Sequence, residues 1–401
     1  MRDLWPALLC GVHGSLMTTR LIFWLSAAFV LYAYAGYPLL LWVVQLVFRR
    51  PVRKAAIEPS VSLLISAYNE EGVIAAKVRN SLQLDYPAER LEIIVVSDGS
   101  TDATAQIVRA LIEQDGKGRV RLLDFAENRG KITVLNDAVP QLRGDIAVFS
   151  DASSMLAKDA LRNLIANFAD QRVGAVSGVY KVLNKDHATL GRQEDLYWKY
   201  ETFLKIQEAK IGTLMGAHGS LHAIRKPLYP FPPPGTINDD FVIPTAVLRR
   251  GFRIAYEPQA VAYEEAQEME GFGRRVRIMA GNIRQLREIK NLFWPLRPLV
   301  LFCFLSHKAT RIAVPLALIS LVVSNALLWR SPFYTWILLA QILFYGLALL
   351  GAIGWLKPKE LRLPFYFCMI NASLFAWLYR LVSQREGQQS PDEKRRHIVW
   401  T

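Results

Sequence analysis

Hydrophobic and polar positions divide this chain into three regimes. Residues 22–48 are almost wholly apolar. As a helix rising about 1.5 Å per residue, that run spans roughly 40 Å, enough to cross a bilayer with tilt. Residues 60–290 hold no such run. There, short β-rich stretches at 61–66, 91–97, 120–124 and 146–150 predict strands, and helical spacing near 71–83, 102–114, 130–139 and 157–168 predicts helices. Strands alternating with helices predict a parallel sheet flanked by helices, with ligands at the carboxyl ends of the strands. Past residue 290 the chain turns apolar again. Residues 292–306, broken by prolines and followed by His307, Lys308 and Arg311, read as an interfacial segment. Spans are predicted near 312–329, 333–354 and 364–382, ahead of a polar, basic tail. The expected order is an N-terminal segment (1–21), a transmembrane helix (22–48), an α/β domain (55–290), an interfacial region (291–311), about three C-terminal transmembrane helices (312–382) and the tail (383–401).

Charge adds an orientation. Arg49, Arg50, Arg53 and Lys54 follow the first apolar run at once, against only Arg2 and Arg20 before it. The positive-inside rule then puts the α/β domain in the cytoplasm of a multi-pass inner-membrane protein. Ala33-Tyr34-Ala35 resembles a signal-peptide cleavage site, but the apolar run continues past it, which favours an anchor. One anchor plus three spans would leave the basic tail outside, against the same rule, so the span count and the side of the C-terminus stay open.

The 401 residues are 52% hydrophobic with a net charge of +13. The basic residues flank apolar runs, which points to membrane lipids and not to nucleic acid. The three cysteines, Cys10, Cys303 and Cys368, lie in or beside apolar segments without metal spacing and give no disulfide framework.

Candidate chemistry gathers where predicted strands end. The first strand runs into Tyr68-Asn69-Glu70-Glu71 and the second into Asp98-Gly99-Ser100-Thr101-Asp102. Carboxylates at the ends of adjacent parallel strands can accept hydrogen bonds from a ribose or base, and Gly99 permits close backbone approach. Asn69, Ser100 and Asp102 can equally be helix caps. Further on come Asn128-Arg129-Gly130-Lys131, then Asp151-Ala152-Ser153 after the fourth strand. Next are Gly216-Ala217-His218-Gly219-Ser220-Leu221-His222 and Asn238-Asp239-Asp240. His218 and His222 are four apart, but the stretch alternates like a strand, which puts both on one sheet face, and no third ligand for zinc is evident. Asp239 and Asp240 can act as an acid–base pair or cap a following helix. Arg274-Arg275-Val276-Arg277-Ile278 lies on a helical, basic stretch suited to a diphosphate or to acidic lipids.

In this order, between membrane segments, these motifs resemble the membrane-bound family 2 glycosyltransferases, the synthases of cellulose, chitin, hyaluronan and poly-N-acetylglucosamine. The resemblance covers about residues 60–290. It implies a GT-A, Rossmann-like α/β catalytic domain on the cytoplasmic side, inserted between transmembrane helices. It implies an inverting glycosyltransferase with a nucleotide-diphosphate sugar, expected to be a UDP-sugar, as donor and a glycan or lipid-linked acceptor. Donor contacts fall on Tyr68, Glu70, Asp98, Lys131, Asp151 and Arg277. Acceptor contacts fall on Gly216, His218, Arg274 and Ile278. Asp240 becomes the base with Asp239 beside it, and Asp151 with Ser153 the site of Mg2+ or Mn2+. The chain departs from the family at three places: Ser153 replaces the second aspartate of Asp-x-Asp, Arg274 replaces a glutamine, and Ile278 replaces a tryptophan that stacks on the growing polymer. Two other readings are a nucleotide-sugar-binding membrane protein without transferase activity and a transporter. The few intramembrane charges and the lack of paired repeats argue against the transporter.

Overall fold

The computed structural model describes residues 4–114, 118–183, 189–265, 271–287, 297–356 and 360–386. They form two compact units, an apolar helical one drawn from both ends of the chain and an α/β one within Leu41–Cys303.

Near the N-terminal end, α1 (Leu4–Leu31) passes through a π-helical turn, Tyr32–Gly36, into α2 (Tyr37–Val47). The cleavage-like Ala33-Tyr34-Ala35 therefore lies inside a continuous helical run. Three described helices are long and apolar enough to cross a membrane: Leu16–Val47, Pro298–Leu327 and Pro332–Ala352. Residues 298–311, part of the expected interfacial region, are helical and run on into the next predicted span. Pro298 stands at the helix start, where its missing N–H costs no hydrogen bond. The last predicted span is the helix Leu363–Glu386, which is not among those three. Asn371, Ser373 and Arg380 interrupt its apolar stretch. Residues 387–401 of the expected basic tail lie outside the described residues.

The α/β unit is one eight-stranded sheet in the order β3-β2-β1-β4-β7-β6-β8-β5. Its strands are β1 (Val61–Ala67), β2 (Leu91–Asp98), β3 (Val120–Phe125), β4 (Ile146–Asp151), β5 (Met155–Leu156), β6 (Val173–Leu183), β7 (His222–Arg225) and β8 (Arg253–Glu265). The first four pair in parallel, as their spacing predicts. β7 is antiparallel to both β4 and β6, and β5 to β8, so the sheet is mixed and not wholly parallel. Every residue of β1 and β2 is buried, as strands covered on both faces require. Leu63, Ile65, Val95 and Val148 are fully inaccessible, and burial of each such side chain contributes about 1.5–3 kcal/mol.

The helices of this unit are α3 (Ile74–Leu82), α4 (Thr104–Gln114), α5 (Lys131–Ala138), α6 (Ala160–Ala166), α7 (Thr189–Lys210), α8 (Asp239–Arg249) and α9 (Gly271–Arg287). The chain lays β2 and β3 on one side of β1, then crosses to place β4 on the other. Strand order thus reverses between β1 and β4, where the loops after Ala67 and Asp151 part and leave room for a ligand.

Candidate active site

The loops after β1 and β2 are bonded to each other. Asn69 adopts a left-handed conformation at φ 54°, and its side-chain oxygen accepts the Thr101 N–H at 2.8 Å. The Glu70 N–H donates to Thr104 Oγ1 at 2.8 Å and the Glu71 N–H to Asp102 Oδ2 at 3.1 Å. Asp102 also accepts the Thr104 N–H at 3.0 Å and so closes the start of α4. Desolvation of Asp102 is outweighed by these hydrogen bonds, which hold its carboxyl below the ordinary carboxylate range. These bonds explain why α3 begins at Ile74 and not near 71, because residues 69–71 bind the neighbouring loop. Tyr68 and Glu70 stand half-buried at this edge.

Asp98 is fully buried. Its Oδ1 accepts the Arg129 N–H at 2.7 Å and its Oδ2 the Gly130 N–H at 2.8 Å. A Cβ on Gly99 would come within 2.4 Å of Asn128 N, so only glycine lets the two loops touch. Asp98 therefore anchors the loop that launches α5, and through it sets the position of Lys131.

Lys131 is the hub of the charged cluster. Its Nζ donates to Asp151 Oδ1 at 2.8 Å and pairs with Asp239 Oδ2 at 2.9 Å. Desolvation works against its charge, but the two carboxylates overcome it and raise the Lys131 pKa. Asp239 follows the mirrored logic: burial is the largest influence and raises its pKa, but the Lys131 charge and hydrogen bond, with His222 and a backbone N–H, together hold the carboxyl below its ordinary value. Asp240 comes next, in the first turn of α8, where the helix dipole favours an anion. The loop Gly216–Ser220 runs between these acids. The Ala217 N–H donates to the Asp240 carbonyl at 2.7 Å and the His218 N–H to Ser177 Oγ at 3.0 Å. A Cβ on Gly219 would lie 3.5 Å from Asp151 Oδ2 and 3.8 Å from Asp240 Cβ, so Gly219 keeps the space between the two acids clear.

The two histidines do not share a face, contrary to the alternation expected of the stretch. A tight bridge pairs His218 with Leu221, and only His222 stands on β7. His218 Nε2 meets the Tyr256 hydroxyl at 3.1 Å, whereas the His222 ring stacks on Phe149 at 5.0 Å. Burial drops the His222 pKa to about 4, so it is neutral beside the cluster.

α9 is fastened to the start of α8. Asn238, left-handed at φ 60°, donates through its side chain to the Ile278 carbonyl at 3.3 Å and reaches Asn282 Oδ1 at 3.4 Å. A Cβ on Gly281 would fall 2.3 Å from Asn238 Nδ2. Arg277 is exposed and Ile278 half-buried on this helix. The Arg274 side chain lies outside what is described.

Two residues unassigned by sequence reasoning border the Asp151 segment. Lys77 of α3 is wholly buried, and its Nζ donates to Ser150 Oγ at 2.7 Å and to the Ser154 carbonyl. Burial lowers its pKa to about 7, with Asp151 and Glu264 acting in opposition. The signal was present, since Lys77 falls on the face of Ile74, Val78 and Ser81, the core side of α3. Glu264 of β8 accepts a 2.6 Å hydrogen bond from Ser153 Oγ, and no local pattern marks it. Ser153 is thus bonded to an acid. Asp151, Ser153 and Glu264 offer the hard oxygen donors that Mg2+ or Mn2+ prefers, and the Lys131 ammonium already sits as a cation between two carboxylates, so the residues present fit a divalent ion.

The family described as Glycosyltransferase like family 2 matches residues 59–284, more than half of the chain and all the residues above. The chain belongs to this family. It is 29% identical over 228 residues to the poly-beta-1,6-N-acetyl-D-glucosamine synthase of Staphylococcus aureus, a match covering 55% of this chain and 54% of that protein. It is 36% identical over 118 residues to a beta-monoglucosyldiacylglycerol synthase of Nostoc sp., covering 29% of this chain and 25% of that one. The chain thus spans about half the length, or less, of these curated relatives. Among solved structures, the mannosyltransferase PcManGT of Pyrobaculum calidifontis, in complex with GDP-Man and Mn2+, superposes with a TM-score of 0.69 at 24% identity, over 90% of this chain and 98% of that one. At that identity the likeness speaks for the fold.

Proposed function

We propose that this chain is a membrane glycosyltransferase that moves a sugar from a nucleoside diphosphate, expected to be a UDP-sugar, to a glycan or lipid-linked acceptor, with inversion at the anomeric carbon. The observation that carries the reading is the cluster in which Lys131 bridges Asp151 and Asp239 while Gly219 keeps the space between Asp151 and Asp240 clear. Asp240, the second acid of the pair and in the first turn of α8, takes the acceptor proton as the hydroxyl attacks. Lys131 and the exposed Arg277 hold the diphosphate oxygens, a task suited to an ammonium and a guanidinium fork. Asp98 acts one layer below by fixing the loop before Lys131. Tyr68 and Glu70 border the nucleoside, and Gly216, His218, Arg274 and Ile278 the acceptor. Asp151 with Ser153 would hold Mg2+ or Mn2+, which when bound neutralises charge on the departing diphosphate. The apolar helices on both sides of the domain in the sequence support a seat in the inner membrane with the domain on the cytoplasmic side.

A screen of nucleotide-sugars for released nucleoside diphosphate tests the reading and names the donor. Turnover by the parent and its collapse in Asp240→Asn support it, and equal turnover by both removes Asp240 from its role. The departures at Ser153 and Ile278 favour a second reading, a nucleotide-sugar-binding protein without transferase activity. Saturable donor binding with no turnover across acceptors would select it.

A further inference from the structure

The Asp151-Ala152-Ser153 segment carries one carboxylate fewer than an Asp-x-Asp segment, and the missing charge is replaced in space. Ser153 Oγ donates to Glu264 Oε1 at 2.6 Å across 111 residues of sequence. Ladder pairing brings Glu264 there. Met155, two residues past Ser153, lies opposite Tyr263 in the β5–β8 pair, and Glu264 itself is in register with Val182 of β6. The backbone that carries Glu264 is thus fixed by β6 on one side and, one residue earlier, by β5 on the other. A carboxylate at 153 would meet Glu264 as a like charge, whereas a hydroxyl can donate to it.

Lys77 ties the arrangement together from below. Its ammonium clamps Ser150 and Ser154, the two ends of the segment that presents Asp151 and Ser153. Asp151 and Glu264 both act on that ammonium, so both carboxylates lie near one buried charge. A lone buried ammonium is costly without such partners. Two ammoniums, Lys77 and Lys131, face three carboxylates here, Asp151, Glu264 and Asp239, which leaves one negative charge for a further cation.

We propose that Glu264 supplies the second carboxylate of the divalent-cation and diphosphate site, standing beside Asp151 in place of the aspartate that Ser153 replaces. The inference rests on the metal-assisted transfer proposed above and adds a ligand that no motif contains. Ser153 is the link, and its hydroxyl orients the Glu264 carboxylate.

Mn2+ binding to the full-length chain in detergent micelles, followed by the EPR signal of free Mn2+ with and without UDP or GDP, tests this without any need for turnover. Asp151→Asn is expected to lose binding, and Glu264→Gln to weaken it about 10- to 100-fold, the range seen when groups supporting a metal are removed. Ser153→Asp placed in the Glu264→Gln chain is expected to restore most of the loss, because it returns a carboxylate to the segment. Parent-like Mn2+ binding by Glu264→Gln, with Asp151→Asn defective, overturns the role of Glu264 and leaves the metal site standing. Parent-like binding by both variants removes the metal site and this inference with it. If Glu264→Gln does not fold, Glu264→Met, which keeps the volume without the charge, takes its place, and parent-like binding by that variant, with Asp151→Asn defective, also overturns the proposal.

Discussion

Along the β1–β2 edge of the sheet, polar side chains bond to the backbone of the neighbouring loop. Along the β4–α8 edge they face one another as charges. On the first edge Asn69, Asp98 and Asp102 each accept backbone N–H groups, and Asp98 is sealed from solvent. On the second, Lys131, Asp151 and Asp239 form ion pairs at 2.8 and 2.9 Å, and each stays partly exposed. Hydrogen bonds from a fixed backbone make a rigid wall. Mutually balanced charges make a site whose balance an incoming diphosphate can disturb. Motif residues that look alike in sequence therefore divide into supports and reactive groups according to what their oxygens already hold.

The sharpest way to break this division is to neutralise one group on each edge. Asp240→Asn keeps the shape of the reactive edge and removes its base. A loss of turnover of about 10²- to 10⁴-fold is expected in the nucleoside-diphosphate release assay, with the melting temperature little changed. A loss under tenfold would move the base elsewhere.

Asp98→Asn makes the matching change on the supporting edge. One of its two accepted backbone N–H groups loses its acceptor, at a cost of about 1–3 kcal/mol in folding stability. Hydrogen exchange at Arg129 and Gly130 is expected to accelerate. If Asp98 instead grips the nucleoside, the donor KM rises while stability and exchange stay as they were.

Much of both edges was legible because the relevant order is local. Strands rich in apolar residues and amphipathic helices placed β1 to β4 and α3 to α6 within a few residues of where they lie. Their loops carried Asp98, Lys131 and Asp151 to the sheet's carboxyl edge. Legibility ended where long-range pairing takes over. The antiparallel insertion of β7 and the partnership of β8 with both β6 and β5 follow from packing among segments far apart in the chain. Glu264 reaches Ser153 only through that pairing. Lys77 is the opposite case. Its place on an apolar helical face was readable, but what would compensate a buried ammonium was not, since Ser150 and the Ser154 carbonyl belong to another element.

Lys77 gives a smaller effect with a definite sign. Its pKa is about 7 when folded against an ordinary 10.5. Between those values the unfolded chain binds more protons, so this residue makes stability rise with pH across that window, by at most about 1.4 kcal/mol per pH unit. Below pH 7 its burial costs a constant amount. Lys77→Met is expected to flatten the rise, read from chemical denaturation of the α/β unit from neutral to alkaline pH. An unchanged slope would mean that Lys77 keeps its proton throughout and belongs with the permanently charged edge.

The smallest expected effect separates geometry from charge at the junction of α8 and α9. Gly273 and Gly281 lie on the same helix. Alanine for glycine within a helix usually gains about 0.5–1 kcal/mol. A Cβ at Gly273 meets nothing within 4 Å, so Gly273→Ala is expected to show that gain. At Gly281 the Cβ would fall 2.3 Å from Asn238 Nδ2 and 2.6 Å from its Cγ. The Asn238 amide would have to turn away, giving up its hydrogen bond to the Ile278 carbonyl. That loss of about 1 kcal/mol cancels the helical gain, so Gly281→Ala is expected to melt close to the parent and below Gly273→Ala. It also frees the left-handed residue that precedes Asp239 and Asp240, so turnover is expected to fall a few-fold with donor KM unchanged. Equal melting temperatures and equal turnover for the two alanine variants would show that the acids of α8 are held without help from α9.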